Sequence, residues 1–186
     1  VNDQQPDDRR DELFRFDVEF AERWIMDHGS VSPQFIIHAE TGATVIGGVG
    51  PKEQMLRYVA LLGIAEDATS ITSMTEVWVT AVEPGTMNRI PDSRREAVVV
   101  SQFYREAGEV RQRHSLREIV RDGDGGRILS LTADRADSTM MWSTWQILMP
   151  EPPAPRLRRA AQDMLREARE AGMFTETPVY PQGSAH

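Results

Sequence analysis

The feature that most limits what this chain can fold into is a change of hydrophobic pattern after residue 28. Before it, apolar residues recur at spacings of three and four: Leu13, Phe16, Phe20 and Trp24 form one line, and Phe14, Val18, Ala21 and Ile25 an adjoining stripe. The spacing predicts a helix from Asp7 with a wide apolar face. Asp7, Asp8, Asp11 and Glu12 suit the positive end of its dipole, while His28 and Gly29 suit its C-terminal end. After it, the stretch PQFIIHAETGATVIGG from Pro33 sets two β-branched and aromatic runs around Glu40-Thr41-Gly42, which predicts a β-hairpin.

Pro51 suits the first position of a second helix, which Met55, Leu56, Val59, Leu62 and Ile64 continue to about Ala65. Gly63 within it costs about 1 kcal/mol against alanine, so another backbone is expected close by. Strands are predicted over 73–82, 96–105, 110–121 and 127–132, and STMMWSTWQILM reads as a further strand or strand-like arm. The resulting organisation is a disordered start (1–6), one domain (7–149), a Pro-rich spacer (150–155), a C-terminal helix (156–172) and a mobile tail (173–186).

This order of elements predicts an α+β fold in which an antiparallel sheet is flanked by helices, with the C-terminal helix after the spacer. Over roughly residues 10–132 the order resembles that of roadblock, longin and profilin-type domains. The stretches FIIHAETG, LLGIAEDA and REIVRDGDG resemble uncharacterised bacterial and prophage proteins, a resemblance that implies no activity. At 186 residues and 40% hydrophobic, the chain suits one domain with one substantial core. Its longest apolar windows, 56–64 and 140–149, fall short of the ~20 residues that a membrane-spanning helix needs. The first twelve residues lack the basic start and apolar run of a secretory signal, so the protein is expected in the cytoplasm.

Composition narrows the chemistry. There is no cysteine, which removes disulfides, thiol nucleophiles and cysteine-based zinc sites. A net charge of −8 opposes general attraction to nucleic acid or to an anionic membrane, although five arginines fall between Arg156 and Arg169. Neither a cofactor nor a metal is expected.

Several motifs compete with structural readings. Gly47, Gly48 and Gly50 lead into Lys52, the only lysine, and form an anion-binding candidate at a helix start. A P-loop would need lysine directly after the glycine and then a hydroxyl, whereas Pro51 and Glu53 stand there, so a strand-to-helix joint is the expected reading. Asp122 and Asp124 have the spacing that begins a calcium loop, but Arg127 and Ala133 occupy the positions for glycine and the bidentate glutamate. A tight turn accounts for the same residues. His38 within a strand, and His114 with Glu118, lack a zinc-helix pattern; a histidine bonded to a carboxylate or water is the expectation for His38.

Glu66 and Asp67 sit where the negative end of the second helix disfavours acids. With Glu76 they form the alternative catalytic or cation-binding set, against structural pairing with arginines of the sheet. Finally, Met140, Met141, Trp142, Trp145, Ile147 and Met149, with Leu157 and Met164 on the last helix, are interface candidates, because Trp and Met are enriched at contacts between proteins. The reading that results is a non-catalytic assembly module, homo-oligomeric or bound to another protein. The alternative is a small-molecule, anion or metal-binding protein or hydrolase using the acids.

Overall fold

The computed structural model describes residues 5–47, 51–81, 83–86, 88–123, 128–134, 152–172 and 174–179. Helix α1 (Gln5–His28) carries the expected stripes but starts inside the stretch expected to be disordered. It ends at Gly29, whose φ of 76° is open to glycine at little cost and lets its amide reach the Ile25 carbonyl at 2.8 Å. Strands β1 (Gln34–Ala39) and β2 (Gly42–Gly47) form the predicted hairpin, with Ala39 opposite Gly42.

Helix α2 (Lys52–Ala65) follows, with Pro51 as its N-cap. Next come β3 (Ser70–Val79), β4 (Arg95–Glu106), β5 (Glu109–Arg121) and β6 (Ile128–Asp134), a meander as expected. β3 begins three residues early because Ser70 pairs with both His38 and Tyr104, partners distant in sequence. Helix α3 (Pro155–Glu170) has proline in its first turn.

Beyond α3 the chain departs from expectation. Residues 173–186 are expected to form a mobile tail, yet within them β7 (Thr175–Val179) pairs antiparallel with β2, Gly47 opposite Thr175. Pro178 offers no amide to a ladder, which suits an outermost strand. The sheet therefore has seven strands, ordered β6-β5-β4-β3-β1-β2-β7 and antiparallel at every junction.

The fold is α+β, with the sheet sandwiched between helices. Side chains alternate across it, so Ile36, Met74, Val98, Val100 and Ile119 meet Val18, Ala21 and Ile25 of α1 on one face. On the other, Phe35, Ile37, Ile71 and Phe103 meet Tyr58, Val59 and Leu62 of α2 and Ala161 and Leu165 of α3. Burying side chains of this size contributes roughly 1.5–3 kcal/mol each. A smaller cluster, Ala97, Val99 and Leu116, lies farther along the second face. The C-terminal helix thus docks on its own domain: it lies along α2, and Gln162 donates to the Ala65 carbonyl at 3.3 Å. Among the described residues no helix is long and apolar enough to cross a membrane.

Candidate functional site

The densest polar constellation lies beneath α1. Asp17 occupies the apolar stripe between Phe14 and Ala21 and is fully buried. Its carboxylate accepts His38 Nε2 at 2.9 and 3.0 Å, Thr72 Oγ1 at 2.5 Å and Gln102 Nε2 at 3.1 Å. β1, β3 and β4 supply these donors, and the strand register places them together on the α1 face. Gln102 in turn accepts Arg113 Nε from β5 at 2.8 Å, and Arg113 reaches Asp11 at 2.6 Å and the Arg10 carbonyl. The guanidinium also lies over the rings of Phe14 and Tyr104, at 4.6 and 5.3 Å. One carboxylate therefore ties a helix to three strands, through a chain of bonds that surfaces at Asp11. Such satisfaction is what a buried charge requires. His38 is the carboxylate-bonded histidine that its strand position allowed.

The alternative acidic set does not assemble. α2 ends at Ala65, so Glu66 and Asp67 lie beyond it. Asp67 takes φ 52° while the Ala68 amide closes on the Gly63 carbonyl at 2.8 Å, a glycine-type helix exit that aspartate tolerates. Asp67 pairs with Arg105 at 3.2 Å and with Arg158 of α3 at 2.9 Å, so arginine pairing accounts for it. Glu66 is exposed. Glu76 stands six residues beyond the start of β3, about 20 Å along an extended strand, and makes no common site with them.

Glu76 belongs instead to a second cluster that the sequence did not reveal. Arg121 of β5 grips Glu96 of β4 with two bonds of 2.6 Å and donates to the Gly29 carbonyl at 2.9 Å; Glu76 accepts the Val31 amide at 3.2 Å. Burial, and then the hydrogen bond with Glu96, push the Glu76 carboxyl above the usual glutamate value. The Arg121 guanidinium, against the opposing effect of burial, holds Glu96 below it. The two carboxyls are thus shifted in opposite directions.

Of the anion-binding candidates, Gly47 closes β2 and Lys52 opens α2. Pro51 caps α2, and the Pro51 carbonyl already accepts the amides of Gln54 at 2.9 Å and Met55 at 3.2 Å. Gly48 and Gly50 lie outside the described residues. So does Asp124; Arg121 lies opposite Ile128 in the antiparallel pairing of β5 with β6. Among the described residues no group of three or more His, Cys, Asp or Glu could hold a metal ion.

A third constellation fixes the C-terminal strand. Tyr58 of α2 donates to Glu176 of β7, and Arg169 of α3 meets the same carboxylate at 2.8 and 2.7 Å. Burial, then the Glu176 carboxylate, pushes the Tyr58 phenol up to about 12. Burial works to raise Glu176, and the bonds from Arg169 and Tyr58 overcome it and hold that carboxyl low.

Of the interface candidates, Met140, Met141, Trp142, Trp145, Ile147 and Met149 lie outside the described residues. Leu157 and Met164 are 40% and 56% exposed on the outward side of α3, next to exposed Ala160. The same helix buries Ala161 and Leu165. Comparison with family models, curated proteins and solved structures gave no match.

Proposed function

We propose that the protein is a non-catalytic assembly module that associates with further copies of itself in the cytoplasm. The observation that carries this reading is the outer face of α3, where Leu157, Ala160 and Met164 meet solvent although the helix already has a buried face against α2. An apolar stripe beside a completed contact has the character of a contact surface between proteins. The buried carboxylate at Asp17 accepts bonds from three neighbouring side chains, which suits a structural role. Nucleic acid is not expected as a partner at a net charge of −8.

Sedimentation velocity over a wide concentration range tests the reading. Mass-action growth of an oligomer is expected; a monomer at every concentration would overturn it.

A second reading, a small-molecule or metal-binding protein or hydrolase, gains support only from the opposed shifts of Glu76 and Glu96. A metal or small carboxylate-binding ligand that raises Tm in the native protein and not in the Glu76→Gln variant would favour it.

A further inference from the structure

We propose that the outward face of α3 docks on the same face of a second copy of this chain, with the two helices antiparallel. The inference rests on the assembly reading above and names its surface and geometry.

At 100° per residue, Leu157, Ala160 and Met164 fall on one stripe beside the buried line of Ala161 and Leu165. Ala160 in the middle lets a second backbone approach closely. The border of α3 that faces its own domain is already engaged: Arg158 holds Asp67 at 2.9 Å and Arg169 holds Glu176 at 2.7 Å. On the outer side, Arg166 holds Asp163 of the same helix at 2.7 Å. Arg156, Arg159, Glu167 and Glu170 are exposed, and none of them makes an ion pair among the described residues.

These four charges are polarised along the helix, the two arginines toward the N-terminus and the two glutamates toward the C-terminus. Parallel pairing would set like against like. Antiparallel pairing about a two-fold axis near Ala160 and Ala161 sets Arg156 against the partner's Glu167. The same axis sets Leu157 on the partner's Met164. A single operator thus satisfies the apolar and the charged positions together, as a self-complementary two-fold contact must. Antiparallel helix dipoles agree with it.

Other exposed apolar groups lack this continuity. Trp78 lies under the Arg94 guanidinium at 4.4 Å, and Met26 of α1 has exposed Arg23 and Asp27 for neighbours. A helix of 16 residues is about 24 Å long, so this contact alone covers less than the roughly 1,000 Å² of a stable complex, and a weak, concentration-dependent dimer follows.

The absence of cysteine makes the test direct. Ala160→Cys places a single thiol beside the two-fold axis, and Arg166→Cys places one on the opposite outer side of the same helix. Mild oxidation is expected to link A160C into a disulfide dimer at least tenfold faster than R166C. Arg156→Glu and Glu167→Arg are each expected to weaken association several-fold in sedimentation, and the double variant R156E/E167R to restore it. If the native protein dimerises but A160C links no faster than R166C, or the double variant does not recover, the α3 contact is overturned while the assembly reading stands. A native protein that is monomeric throughout overturns both.

Discussion

The two faces of the sheet are held by different means. Beneath α1, a carboxylate with no exposure joins four elements by side-chain hydrogen bonds inside an otherwise apolar cluster. Beneath α2 and α3 the centre is apolar, and the polar contacts, Asp67 with two arginines and Glu176 with Arg169 and Tyr58, stand around its margin. A buried polar network tolerates little displacement, because each donor depends on one acceptor. An apolar centre with half-exposed ion pairs tolerates sliding and exchange. The contrast gives α1 the role of fixing the register of β1, β3 and β4, and leaves α3 as the element whose outer face is open to a second surface.

Substitutions sharpen or break this contrast. The largest effect is expected from Asp17→Ala, which strands His38, Thr72 and Gln102 without their acceptor and should cost about 3–5 kcal/mol in urea unfolding. Leu62→Ala, in the apolar centre, should cost about 2–5 kcal/mol by the cavity it leaves. If Asp17→Ala proves milder than Leu62→Ala, the network is not what secures the α1 face. Asp67→Asn keeps a side chain that accepts positive φ and loses two partly exposed ion pairs, so about 1 kcal/mol or less is expected, diminishing with salt.

The smallest change should come from Glu76→Gln, and its sign depends on pH. The folded protein raises the Glu76 carboxyl, so its contribution to stability is present in full below the ordinary glutamate range and is lost as pH rises through the raised value. Glutamine never takes the charge, so the variant should melt roughly 1–3 °C higher than the native protein at neutral pH, with the gap closing in acid. Glu96→Gln should behave oppositely. The lowered Glu96 contributes stability above the ordinary range and loses it as pH falls through its folded value, so its removal should lower Tm at neutral pH.

Much of the fold was legible in the sequence because it is written in local periodicity. The stripe of α1, the Glu40-Thr41 turn, the end of α2 at Ala65 and the meander all follow from spacing and turn chemistry. β7 was not legible: five residues with a proline carry no strand pattern, and their order comes from β2 and from Tyr58 and Arg169, distant in sequence. The Asp17 network had one visible signal, an acid on the apolar stripe between Phe14 and Ala21. Its partners could not be read, since Thr72 and Gln102 meet it only through strand pairing. Glu76 stood out as an acid, but its true neighbours, Glu96 and Arg121, are set by the register of β3, β4 and β5.

Two methionines make the decisive comparison. Met26 on α1 and Met164 on α3 are 49% and 56% exposed in the single chain, so as monomers they should oxidise at similar rates. Peroxide oxidation followed residue by residue, at low and at high protein concentration, separates the two faces. The account predicts that Met164 becomes protected as concentration rises while Met26 does not. Equal oxidation of both at every concentration would contradict it.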